Sequence, residues 1–299
     1  MTDSSPFTAV DLSRLPPPAV VEALSFETIY ADMLANVQML LPTFDATVES
    51  DPAVIILQVA AYRETLIRGR VNDAARAVMP AFATGADLDN LAALFGVVRL
   101  TLTPADADAG TPAEMESDAD LRRRLVLAPE GFSVAGPEGA YIFHALSADP
   151  AVLDASATSP TPGTVVVSIL ARGGDGTASA DLLATVDAYL SAETRRPLTD
   201  NVIVQSADIE PYAVEASITT FAGPDSSIVL AQSRAQVETY IAESARLGRD
   251  VTRSGLFAAL HCAGVQNIVL TSPAADIVLD RTQAAHCTGI TIMHAGLGE

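Results

Sequence analysis

The amino-acid sequence predicts an α+β protein: an N-terminal helical arm followed by two small α/β modules with mixed sheets. Two observations predict it. A long run with helical spacing fills residues 53–79, where Val59, Tyr62 and Leu66 give way to Ile67, Val71, Ala74 and Val78. Beyond Pro129, short helical runs alternate with short strand-like ones without the regular long βαβ units of a doubly wound sheet. With 299 residues the chain is long enough for two or three units, each with its own core.

In chain order, residues 1–18 read as extended and end in Pro16, Pro17 and Pro18, a stiff polyproline segment. Residues 19–41 turn helical, with Phe26, Ile29, Met33, Val37 and Leu40 at steps of three and four, until Pro42 stops the pattern. Asp51 before Pro52 fits a cap followed by proline at the first helical position. The helix over 53–79 would be about 40 Å long, with Arg63, Glu64, Arg68, Arg70, Asp73 and Arg76 along its other side. A helix of that length cannot hide its whole apolar stripe in a small core, so the pattern predicts an interface with other helices of the same or another chain. The stripes expected to form it run from Leu24 to Leu40 and from Val59 to Val78. Arg63, Arg68, Arg70 and Arg76 are candidates for ion pairs within the chain or with a neighbour, a solvated face being the alternative.

Thr84-Gly85-Ala86-Asp87 and Ser117-Asp118-Ala119-Asp120 both have capping-box spacing. The first opens a short helix stopped by Gly96. The second precedes Arg122, Arg123 and Arg124, where acids first and arginines a turn later complement the helix dipole. Residues 101–112, rich in Pro, Asp and Ala, read as a linker. After it the pattern predicts helices at 139–148, 178–191, 226–246 and 254–262, and strands at 164–170, 202–205, 212–221, 265–270 and 288–292, with a turn at 173–176.

Composition excludes several classes of function. All 17 basic residues are arginine, against 37 acids, giving a net charge of -20 and a sequence pI near 4.4. Such a surface repels phosphate backbones, which disfavours a nucleic-acid partner. Guanidinium suits desolvated, bidentate pairs with carboxylates, although a GC-rich coding bias explains the missing lysine with less physics. Apolar runs such as residues 53–57 fall far short of the roughly 20 needed to span a membrane. Met1-Thr2-Asp3-Ser4-Ser5 does not open like a signal peptide, and Cys262 and Cys287 are the only cysteines. A soluble chain made in the cytoplasm, without a disulfide framework, is expected.

Chemistry-bearing motifs fail on spacing. Gly131-Phe132-Ser133-Val134-Ala135-Gly136 has one residue too many for a nucleophile elbow, and a chain without lysine has no Walker A loop. Gly173-Gly174-Asp175-Gly176 lacks the acid of a calcium nonapeptide, since Ala178 stands in its place. Asp106-Ala107-Asp108-Ala109-Gly110 lacks an EF-hand's third ligand. His261-Cys262 and His286-Cys287, with His294, offer zinc-type ligands. Neighbours on a strand face opposite ways, however, and Cys262 shares an apolar face with Leu256, Ala259 and Leu260, as a small hydrophobe would. His144 reads as a core or interface histidine. No catalytic residue, cofactor or metal is expected.

One resemblance covers most of the chain from about Leu12 onward. Residues 50–76, from Ser50-Asp51-Pro52 to Asp73-Ala74-Ala75-Arg76, running on into Ala83-Thr84-Gly85-Ala86-Asp87-Leu88, strongly resemble the baseplate J-like family, wedge proteins of contractile phage tails and related injection particles. Glu116-Ser117-Asp118 with Arg122-Arg123-Arg124, Gly136-Pro137-Glu138-Gly139, Arg246-Leu247-Gly248-Arg249-Asp250 and Asp280-Arg281-Thr282 fit as well. The resemblance implies a non-enzymatic wedge subunit located in a virion or tail-particle baseplate and assembled in the bacterial cytoplasm. It divides the chain into a helical wedge-bundle arm (1–128), a middle α/β module (129–208) and a ring-forming C-terminal module (209–299). The partners it implies are a second copy, a smaller I-like wedge protein and neighbouring wedges, with sheath-initiator and hub proteins beyond them. Phe26, Ile29, Met33, Val37, Val59, Tyr62, Arg63, Leu66, Arg68, Arg70, Val71 and Arg76 are the expected interface residues. The alternatives are a tail-associated peptidoglycan hydrolase, which needs a carboxylate pair in a cleft, and a zinc-binding adaptor.

Overall fold

The computed structural model describes residues 12, 15–16, 23–45, 48–223 and 225–298, so the extended reading of residues 1–18 lies almost wholly outside it. The chain divides into two compact units, a helical one within residues 10–98 and 117–122 and an α/β one within 99–116 and 123–299. The α+β expectation holds.

In the helical unit, α1 (Phe26–Leu40) packs on α2 (Pro52–Ala77). Helix α1 starts later than its apolar period suggested because Ser25 caps it, its Oγ accepting from Thr28 N–H at 3.2 Å. Asp51 caps α2 as expected, accepting from Ala53 N–H at 2.7 Å with Pro52 in the first position. The first capping box does not form. Thr84 makes no side-chain cap to α3 (Gly85–Ala93); the Asp118 carboxylate, 33 residues away, accepts from Gly85 N–H at 3.2 Å instead. The second does form, with Ser117 Oγ accepting from Asp120 N–H at 3.1 Å at the start of α4 (Asp118–Leu127).

Asp118 and Asp120 stand in the first turn of α4 and Arg124 in its last, as the helix dipole favours, and the three arginines also serve as tertiary anchors. Arg122 donates to the carbonyls of Pro80 and Ala83, each at 2.7 Å, and so ties down the turn after α2. In the α/β unit, Arg124 is buried against Glu116 at 2.7 Å, and the same carboxylate accepts from Leu100 N–H. Arg123 reaches Asp154 at 2.5 Å.

Residues 101–112 are not a plain linker. They carry β1 (Thr101–Thr103), which pairs antiparallel with β2 (Glu114–Met115), and a bridge from Asp106 to Thr111. Two three-stranded mixed sheets follow. The first has the order β3 (Val152–Thr161), β4 (Thr164–Ala171), β5 (Asn201–Ser206), antiparallel then parallel, with α5 (Glu138–Ala148) and α6 (Ala180–Leu190) packed on it. The second has β6 (Asp208–Phe221) at its centre, antiparallel to β7 (Val265–Ser272) and parallel to β8 (Gln283–Gly298). Helices α7 (Ser226–Ser244) and α8 (Arg253–Leu260) close its core over Val214, Ile218, Val237 and Leu256.

Strands β5 and β6 are almost continuous, so one extended ribbon passes from the first sheet to the second. At the crossing, Leu170, Ala207, Leu247 and Ala284 form a small shared core, with Leu153 and Ile209 against it. Asp154 rivets this junction: it is 3% exposed, takes Arg123, and accepts from Leu247 N–H at 3.0 Å. Ser156 Oγ donates to the Arg281 carbonyl at 2.5 Å, and Arg281 pairs with Glu138.

Removing a buried partner leaves the other group uncompensated. Asp154→Ala is therefore expected to lower unfolding free energy by about 3 kcal/mol in urea titration, because it strands both Arg123 and the Leu247 N–H. A Cβ on Gly255 would sit 2.6 Å from Tyr240 Oη, which the Thr252 N–H donor holds in place. Gly255→Ala should cost about 1–3 kcal/mol in the same assay.

Candidate interaction surface

Helix α2 buries one narrow side. Val54, Ala61 and Asn72 are its buried residues, and at about 100° per residue they share one line. The segment just before α1 comes close to this helix: a Cβ on Gly69 would lie 3.6 Å from Leu24 Cδ1. The N-terminal stripe is partly spent on this contact. Ile29 is buried, and Phe26, Met33 and Val37 are half-buried, while Met39, Leu40 and Leu41 at the far end are exposed.

The rest of α2 is a different surface. Ile55, Ile56, Val59, Tyr62, Leu66, Ile67, Val71 and Val78 are all 45–68% exposed. Measured around the helix from Val54, Ile55, Val59, Tyr62 and Leu66 lie at roughly 80–140° and Ile56, Ile67, Val71 and Val78 at roughly 200–260°. Arg63 and Arg70, seven residues apart and both exposed, run between the two rows. Arg68 lies elsewhere and pairs with Glu64 one turn back at 2.6 Å, while Arg76 is exposed. The sequence-predicted residues thus divide. Val59, Tyr62, Leu66, Val71, Arg63 and Arg70 form one open flank, whereas the α1 residues and Arg68 are engaged within the chain. An apolar surface of this extent around charged residues suits a protein partner, because soluble monomers seldom leave one uncovered.

No helix among the described residues is long and apolar enough to cross a membrane. Nor do the described residues gather three or more His, Cys, Asp or Glu side chains able to hold a metal. Cys262 is buried, 3.2 Å from Ser233 Oγ, and Cys287 lies half-buried on β8, where burial pushes its thiol pKa up. His294 meets Thr220 Oγ1 at 3.0 Å, and His286 stands opposite Pro211 in the β6–β8 ladder. His144 packs edge-on against Phe143 and beside Tyr189; burial and the nearby Arg195 lower its pKa, which keeps the ring neutral. The loop acids serve turns: Asp106 accepts from Asp108 and Ala109 N–H, and Asp175 from Thr177 N–H.

Sequence reasoning missed one feature, the groove beside β8. Arg234, Glu238, Ile241 and Ala242 of α7 face Cys287, Thr288, Gly289 and Ile290 across an open space of about 340 Å³. The sequence showed a strand only over 288–292, and Ala284 and Ala285 before it and Ala295 and Gly296 after it hide its continuation.

Three family models match the chain: the baseplate J-like N-terminal domain over residues 49–106, the central domain over 133–206 and the C-terminal domain over 212–293. Baseplate protein J of Escherichia phage P2 is 47% identical over 299 residues, which cover 97% of this chain and 99% of that protein. Among solved structures, the cryo-EM baseplate of the anti-feeding prophage matches at 15% identity with a TM-score of 0.38. That match spans 60% of this chain and 42% of the other, too distant for structural inference. On the three matched domains and the near full-length relative, the chain belongs to the baseplate J-like family.

Proposed function

We propose that the chain is a structural wedge subunit of the baseplate of a contractile phage-type tail or related injection particle, and that it joins wedges into a ring around the central hub. The exposed flank of α2 carries this reading. Full burial of a Val, Leu or Ile side chain is worth roughly 1.5–3 kcal/mol, and this flank presents eight large apolar side chains. A phage relative that bears the name of a baseplate protein supports the same reading. The role is one of holding partners together rather than of turnover.

The helical arm of residues 1–128 pairs with a second copy and with a smaller I-like wedge protein. The middle module (129–208) and the C-terminal module (209–299) face neighbouring wedges, the sheath initiator and the hub. Assembly takes place in the bacterial cytoplasm before the particle is complete. Arg63 and Arg70 set the register of the bundle more than its strength, since partly exposed pairs contribute only about 0–1 kcal/mol each.

Co-expression with the smaller tail protein followed by size exclusion tests this directly. The wild-type chain should elute in a stable hetero-complex. Val59→Asp with Leu66→Asp should weaken that complex by about 100-fold or more, while the melting of the isolated chain stays within about 0.5 kcal/mol because both sites are exposed. A wild-type chain that stays monomeric beside every tail partner contradicts the reading.

A further inference from the structure

Strand β8 is an open edge. It is 16 residues long and pairs as a strand only with β6. Among the described residues the other backbone bonds to it are at its very start, where Gly248 N–H donates to the Gln283 carbonyl at 2.9 Å. From Ala284 onward the described residues place no further backbone partner on its outer side. Natural edges are normally blunted by charges, proline or a covering segment. From Gln283 to Gly298 there is no Asp, Glu, Lys, Arg or Pro. The opposite edge is treated differently: β7 is half as long, and Arg253 donates to the carbonyls of Leu270 and Pro273 along it. On β8 the corresponding guard is a single 3.4 Å contact from Arg234 to the Ile290 carbonyl. Both residues line the groove between α7 and β8.

We propose that β8 adds antiparallel to β8 of a second copy of this chain, so that two C-terminal sheets become one and each α7 flanks the new strand pair. This deepens the ring-joining part of the proposed function and rests on it. Two features favour a second copy over an unrelated strand. A charge-free edge on a chain of net charge -20 is the place where two such chains approach with least repulsion. Arg234 and Glu238 lie one turn apart on α7 and are paired at 3.0 Å. A two-fold axis through the groove sets the Arg234 of each copy opposite the other's Glu238, so the same patch complements itself. Backbone pairing supplies affinity, and the alternating side chains Thr291 and Met293 on the open face supply register.

The test uses the full-length chain carrying Val59→Asp and Leu66→Asp, which silence the arm, and Cys287→Ser. Single cysteines are placed in turn at residues 288–295 and oxidised, and each species is followed by sedimentation. A two-fold strand pair brings a residue next to its own counterpart only near the axis. Rapid covalent dimers at one or two positions near Gly289 to Thr291, with none elsewhere, are expected. Arg234→Glu should weaken dimerisation about tenfold, and adding Glu238→Arg should restore it. No cross-link at any position overturns the strand pairing; if the unsubstituted arm still binds the smaller tail protein, the wider reading survives that result. Cross-linking without arm binding leaves the pairing standing and removes the arm from the account.

Discussion

A helix of 26 residues is about 39 Å long and has a full circumference of side chains to place. In this protein one line of that circumference, through Val54, Ala61 and Asn72, is buried, and α1 packs on the helix. Most of the rest is apolar and faces outward. Water around such a surface is a standing free-energy cost, and the described residues leave it exposed. The proposed wedge role rests on that constraint.

The α/β unit solves the opposite problem, holding two small sheets together with little apolar surface. The shared core at the junction contains only a few side chains, and two of them are alanines. Polar contacts complete it: Asp154 joins α4, β3 and the loop after α7, while Arg281 and Ser156 tie the loop before β8 to the first sheet. A junction built this way is specific in geometry, because each buried polar group has only one arrangement that satisfies it. Rigidity of that kind suits modules that must present surfaces at fixed angles to neighbours.

The elements with strong local signals were legible in the sequence. Helix α2 announces itself by period and by Asp51-Pro52, and β4 by Val165, Val166 and Val167. Three features were not legible, each for a physical reason. Strand β3 opens on Val152 and Leu153 but then carries Ala155, Ala157, Pro160 and a buried Asp154, residues of low strand preference that fold there because β4 pairs with the strand. The cap of α3 comes from Asp118, 33 residues distant, which local spacing cannot reveal. The roles of Arg122, Arg123 and Arg124 depend on which loops pass nearby. Of the candidate surface, the α2 half could be read from periodicity alone. The inward turn of Phe26, Ile29, Met33 and Val37 could not, because an apolar stripe looks the same whether its partner is internal or external.

The central claim is that the α2 flank is covered by other molecules in the working particle. Carbene footprinting of residues 55–78, on the isolated chain and on assembled particles, measures that most directly. The account predicts heavy labelling at Val59, Tyr62, Leu66 and Ile67 in the isolated chain and at least a severalfold loss on assembly. Equal labelling of these four side chains in both samples would contradict it.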